Sequence, residues 1–151
     1  MSPAENKGDD DLEVLFGDSM DMNTFEQILE MDDEGDHEFS SSIVFGFFDQ
    51  AEETFDKIEQ SLEEADLPSL SSLGHFLKGS SATLGLVKVR DGCEKIQRYG
   101  KMENLDGSPA DDEQVCLQRV REAFELVKTD YAEVETALKK YYKRLGVEKN
   151  D

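Results

Sequence analysis

A chain of 151 residues with 37% hydrophobic content fits one domain with enough mass to bury a core. It contains no run of eighteen apolar residues, and its N-terminus is acidic where a secretory signal would be basic and then apolar, so a protein neither secreted nor membrane-spanning is expected. A net charge of −20 argues against nucleic acid and anionic lipid as partners.

The stretch 1–20 is acidic, contains Gly and Pro, and reads as a mobile tail from which Leu15 and Phe16 can dock, leaving 21–151 as the folded domain. Asn23 followed by Glu26 has the form of a capping box for a short helix carrying Phe25, Ile28, Leu29 and Met31, which the acidic run Asp32 to Glu38 ends. The segment Glu30 to Ser41 has Gly35 at the sixth place of a calcium loop. Its first and twelfth places, Glu30 and Ser41, lack the aspartate and the bidentate glutamate such a loop needs. Ser40 is then expected to cap a longer helix in which Val44, Phe48, Ala51, Phe55, Ile58 and Leu62 recur three and four apart.

Pro68 suits the first turn of the next helix, whose stripe is Leu70, Leu73, Leu77 and Leu84 and whose stop is Gly85. Another helix carries Val89, Cys93, Ile96 and Gly100. Met102 to Gly107 reads as an irregular loop, and Ser108-Pro109 as the opening of a last helix with Leu117, Val120, Phe124, Val127, Tyr131, Val134, Leu138, Tyr141 and Leu145 in register. Cys93 and Cys116 fall on apolar positions without metal-ligand spacing, so both are expected as buried free thiols of a reducing compartment, cytoplasm or nucleus. Nothing reads as a strand. The pattern predicts an all-α protein: an up-and-down antiparallel four-helix bundle with a short extra N-terminal helix across one end. An intermolecular coiled coil has similar spacing, but Gly85, Gly92, Gly100, Gly107 and the prolines interrupt it too often.

At about 100° per residue, His75 lies opposite the leucine stripe of its helix, among the small residues Ser71, Ser72, Gly79 and Ala82 and a single cation, Lys78. An ordinary lone surface histidine needs no such neighbours. Gly79, one turn beyond, costs about 1 kcal/mol of helix stability relative to alanine, which suggests that something approaches the helix closely. From His75 to Lys101 the cations Lys78, Lys88, Arg90, Lys95, Arg98 and Lys101 face only Asp91 and Glu94, a local charge of +4 that leaves −24 for the remainder. Counting rise from the turn at Gly85, roughly 15 Å back to His75 and 18 Å on to Gln97, the two come nearly level on antiparallel helices. Gln97 can then hydrogen-bond one ring nitrogen and leave the other free, unless it is a solvated polar residue beside the apolar stripe.

The surroundings of His75 lack the carboxylate partner and oxyanion donors that hydrolysis requires. Metal binding is equally poorly provided for, since the only other histidine, His37, has no helical register to it. An unprotonated imidazole can instead attack phosphorus to give a labile phosphoramidate, with Lys78 compensating the charge. With no glycine-rich phosphate loop, the phosphoryl group must come from another protein.

The run His75, Phe76, Leu77, Lys78, Gly79, Ser80, Ser81 through Gly85 resembles the motif of histidine-containing phosphotransfer (HPt) proteins, and most of all the single-domain eukaryotic relay proteins of the fungal type. The resemblance extends from about Phe25 to the last helix through Met31-Asp32-Asp33, Phe39-Ser40, Phe48-Asp49-Gln50-Ala51, Leu73-Gly74-His75 and Cys93-Glu94-Lys95-Ile96-Gln97. The acidic tail and the Met102 to Asp112 connection fall outside it. It implies a phosphorelay intermediate in which His75 accepts a phosphoryl group from the receiver-domain aspartate of a hybrid sensor histidine kinase and passes it to the aspartate of a response regulator. Lys78 would support the phosphoryl charge, Gly79 leave room for the receiver, and Gln97 orient the ring. The implied docking surface is Ile28, Met31, Phe39, Ser80 and Lys101, although apolar residues on a short helix are also ordinary core residues.

The resemblance further implies no ATP-dependent kinase site, no cofactor or metal of its own, Mg²⁺ in the partner receiver, a monomer, and osmotic or oxidative stress signalling in cytoplasm and nucleus. Two other readings stay open: an acidic helical bundle that binds receivers without accepting phosphate, and a hydrolase using His75.

Overall fold

The computed structural model describes residues 16–147. A single 3₁₀ turn, Gly17–Ser19, precedes five helices: α1 Met22–Leu29, α2 Glu38–Glu63, α3 Leu67–Leu84, α4 Val87–Gly100 and α5 Glu113–Arg144. Consecutive long helices pack against one another and α5 returns to α2, closing the expected four-helix bundle, with α1 set against α2 and α3 at one end. Among the described residues there is no strand, only an isolated bridge between Glu103 and Pro109 in the α4–α5 connection. No described helix is long and apolar enough to cross a membrane.

The predicted stripes are the core. Val44, Phe48, Ala51 and Ile58 of α2, Leu70, Leu77 and Leu84 of α3, Val89, Cys93 and Ile96 of α4, and Val120, Phe124, Val127 and Leu138 of α5 are all buried. Leu73 and Phe55 are only partly so. Phe16 docks, with its ring edge-on to Phe25 at 5.8 Å and Tyr141 at 6.5 Å. Met20 is buried beside it, so residues 16–20 are part of the packed body; Leu15 and the rest of the stretch read as tail lie outside the described residues.

Helix ends depart from the sequence reading wherever the cap comes from outside the expected motif. Asp21, not Asn23, caps α1, accepting from Asn23 N at 3.1 Å and Thr24 Oγ1 at 3.1 Å, and the helix ends at Leu29, leaving Met31 in the following turn. Ser40 does not cap α2, which starts two residues earlier. Its hydroxyl is buried, donates to Asp32 Oδ2 at 2.6 Å and accepts from Tyr142 OH at 2.8 Å, tying the α1–α2 connection to the far end of α5. Ser108-Pro109 belongs to the connection rather than to α5, which Asp112 caps by accepting from Gln114 N at 2.9 Å. At the other end of α5 the buried residue is Tyr142, whereas Leu145 lies past the helix and is exposed.

Two glycines set the geometry around α3. Gly85 ends it with φ 78°, the left-handed conformation that an unbranched Cα adopts freely. Its carbonyl accepts from Asp21 N at 2.7 Å, which pins α1 to the foot of α3. At Gly74 the helices α3 and α4 meet so closely that a Cβ there would sit 2.9 Å from Cys93 O and 2.9 Å from Gln97 N.

Candidate functional site

The crossing at Gly74 determines what surrounds the next residue. His75 follows it on α3 and is exposed, as its angular position predicts, and Phe76 beside it is 49% exposed. One turn on, Gly79 has open space where a side chain would stand, with no atom within 4 Å of a Cβ built there. Ser72 and Ala82 are also exposed. Ser71 is not. It is buried at the seam with α4, where its backbone N would lie 2.6 Å from a Cβ on Gly100. Its small size therefore serves helix–helix contact, not access to His75.

Gln97 comes level with His75, because its backbone N lies against Gly74. The expected hydrogen bond to the imidazole is not made. Gln97 Oε1 is covered in the α3–α4 seam and has no hydrogen-bond partner within the described chain. A buried acceptor without a donor is costly, and the close crossing that brings the two residues level is also what covers this oxygen.

Lys78, three residues past His75, reaches across the seam to Glu94, with Nζ 3.7 Å from Oε1 and both side chains partly exposed. Arg90 pairs with its neighbour Asp91 at 3.0 Å. Among the described residues no ion pair holds Lys88, Lys95, Arg98 or Lys101, so the excess positive charge read from the sequence stays available on the α3–α4 side. Cys93 lies buried beneath the crossing, where desolvation pushes its thiol up to about 12. It is no competing nucleophile, since the reactive form is the thiolate.

The other candidates are scattered around this centre. Ile28 is buried, which settles its two readings in favour of core, whereas Met31 at 66% and Phe39 at 43% are exposed. Ser80 is half-buried, its hydroxyl donating to Phe76 O at 3.3 Å. With Ser42, Ile43, Gly46, Phe47 and Thr83 it lines a groove of about 330 Å³ between α2 and α3. Lys101, capping α4 a turn beyond Gln97, lines a different cavity of about 490 Å³ with Leu67, Pro68, Ser71, Met102 and Glu113. His37 sits half-buried at the head of α2. Sequence reasoning missed Phe76, which its place beside His75 on the exposed side could have marked, and Glu94, whose part depends on the α3–α4 register.

A family model, the Hpt domain, matches residues 43–138. The chain belongs to the Hpt domain family. The matched span runs from early α2 into α5, so this Hpt domain contains the whole of α3 with His75 and the whole of α4 with Gln97. The chain is 44% identical over 126 residues to multistep phosphorelay regulator 1 of Schizosaccharomyces pombe, an alignment covering 83% of this chain and 43% of that protein. It is 47% identical over 93 residues to phosphorelay intermediate protein YPD1 of Candida albicans, covering 62% of this chain and 50% of the relative. The chain thus spans about half the length of the curated relatives it matches.

Among solved structures, this Hpt fold is similar to yeast Ypd1p, with a TM-score of 0.74 and 28% identity over 83% of this chain and 95% of that one. It also matches Saccharomyces cerevisiae Ypd1 co-crystallised with the receiver domain of its downstream response regulator Ssk1, with a TM-score of 0.73 and 30% identity over 83% and 95% of the two chains.

Proposed function

We propose that this Hpt protein is a phosphorelay intermediate that takes a phosphoryl group from the receiver-domain aspartate of a hybrid sensor histidine kinase onto His75 and gives it to the aspartate of a response regulator. One observation carries the reading: within an Hpt domain, an exposed imidazole stands beside a glycine whose outer side is open. In the forward step the unprotonated ring nitrogen attacks phosphorus, the bond from phosphorus to the aspartyl oxygen breaks, and the carboxylate leaves with the electron pair. The other ring nitrogen keeps its proton, so none has to move. The return step reverses these bonds on the second receiver.

Lys78 stands one turn from the ring to meet the phosphoryl oxygens, and the unpaired cations of α4 face an incoming acidic pocket. The Mg²⁺ of such transfers belongs to the receiver in this reading. Met31, Phe39, Phe76 and the half-buried Ser80 are the contacts offered to the receiver, Lys101 adds charge at the far end of the α3–α4 seam, and Gln97 braces the seam beneath the ring. The similarity to a Ypd1 crystallised with a receiver domain supports this assignment of partners. Action as a monomer in cytoplasm and nucleus, in osmotic or oxidative stress signalling, is part of the same proposal.

The test is to mix the full chain with a receiver domain carrying ³²P on its aspartate. Acid-labile, alkali-stable label is expected on the chain and none on His75→Gln. Binding without label would favour a receiver-binding bundle, and sustained phosphate release from the chain without a receiver would favour hydrolysis; either result overturns the relay.

A further inference from the structure

We infer that Glu94 is a positioning residue for Lys78 and that its carboxylate raises the transfer potential of phosphorylated His75, keeping the group on loan to the histidine. The inference rests on His75 being the acceptor. Among the described residues of the basic α3–α4 region, Lys78–Glu94 is the ion pair that crosses between helices, whereas Arg90–Asp91 joins sequence neighbours. Its placement follows from the register. Gly74 sets Gln97 level with His75, and three residues from each, along antiparallel helices, come Lys78 and Glu94. The cation and the carboxylate therefore flank the seam within about one turn of the ring.

Lys78 is 32% and Glu94 48% exposed at the side chain, and a separation of 3.7 Å with that much solvent makes a weak pair that opens readily. Unmodified, the pair fixes a flexible lysine close to the imidazole. On transfer the aspartyl O–P bond breaks, the N–P bond forms, and a dianionic phosphoryl group appears beside both side chains. Lys78 is then drawn to the phosphoryl oxygens while Glu94 competes for it and repels the new charge. Both effects act on the phosphorylated chain, so both displace the exchange equilibrium towards the receiver. An intermediate that must surrender what it takes gains by this, since a phosphohistidine held too well would end the relay.

Glu94→Gln keeps the size of the side chain and removes the charge. Starting from a receiver domain phosphorylated with ³²P-acetyl phosphate and the full chain, the ratio of labelled chain to labelled receiver at equilibrium should rise about 3- to 10-fold in the variant, less at high salt. Lys78→Gln should lower the ratio. Introduced on the Lys78→Gln background, Glu94→Gln should have a smaller effect, the sign of coupling through the lysine. A purely structural side chain would move the melting temperature and leave the ratio unchanged. An unchanged ratio with label present on the wild type overturns the inference alone. No label on the wild type overturns the acceptor reading and this inference with it.

Discussion

Replacing Gly79 should separate stability from transfer. The residue lies inside α3, has ordinary helical backbone angles, and offers an added Cβ no atom within 4 Å, so alanine there meets no clash. Only helix propensity remains, and it favours alanine by about 0.5–1 kcal/mol, or a rise of roughly 1–4 °C in melting temperature for a chain of this size. Transfer should move the opposite way. In-line attack needs the ring nitrogen and phosphorus about 3–3.5 Å apart, and a misplacement of about 1 Å can cost on the order of 100-fold. A methyl one turn from His75 holds the incoming surface off slightly, and the longer side chain of Gly79→Gln holds it off further. Gly79→Ala should therefore melt higher and transfer more slowly, and Gly79→Gln should fold while losing roughly 10- to 100-fold in rate. Calorimetry and rapid-quench labelling from a phosphorylated receiver read the two effects separately. A lowered melting temperature for Gly79→Ala would show that the space is occupied. Wild-type transfer by Gly79→Gln, from the donor and to the acceptor alike, would show that nothing approaches there.

Gly74→Ala should behave in the contrary sense: its Cβ would stand 2.9 Å from two backbone atoms of α4 and 3.1 Å from Ile96 Cγ2, so the helices must part at a cost of about 1–3 kcal/mol. A wild-type melting curve would contradict the close crossing. Ser40→Ala removes the hydroxyl between Asp32 and Tyr142 and should cost about 1–3 kcal/mol by leaving buried Tyr142 OH without its acceptor. Adding Tyr142→Phe should recover part of the loss in a double-mutant denaturation series, and strict additivity of the two changes would argue against the Ser40–Tyr142 hydrogen bond. Cys93, with its thiol raised to about 12, and Cys116, also raised by burial, should react with a disulfide reagent at pH 8 far more slowly in the native chain than after denaturation. Fast native labelling of either would place it at the surface.

The four long helices were legible because each carries an unbroken apolar stripe, and the spacing of Val44 to Leu62 or of Leu117 to Leu138 admits no other element. Helix ends were less so. At Asp21 the cap stands two residues ahead of the expected motif, and at Asp112 it stands four residues past Ser108. Ser40 had the right chemistry for a cap, but a carboxylate eight residues earlier and a tyrosine 102 residues later claim its hydroxyl. At the site, the exposure of His75 could be read from angle alone. The two nearby glycines could not be told apart this way. Gly74 is small because α4 lies on it, whereas Gly79 is open, and the difference depends on where a second helix runs. The same holds for Ser71, taken for part of the open surface and found in the seam, and for Gln97, whose level was countable from helical rise while the covering of its oxygen was not.

The construction of α3 explains how His75, the proposed nucleophile, stays exposed on a helix whose other side is part of the core. One side of α3 buries Leu70, Leu77 and Leu84, and an adjoining strip of small residues, Ser71, Gly74 and Ser81, lets other helices come close. Between them these surfaces hold one side of the helix and leave an outer band containing Ser72, His75, Phe76, Gly79 and Ala82 exposed. Such a band gives His75 no pocket, so specificity in the proposed relay must come from a second surface laid against it. The charge distribution favours that arrangement. The rest of the chain, with a net charge of −24, repels an acidic receiver, and the local +4 from His75 to Lys101 is where that repulsion is relieved. In the proposed relay, orientation is thereby selected before contact, and Gly79 then allows the final approach to the ring.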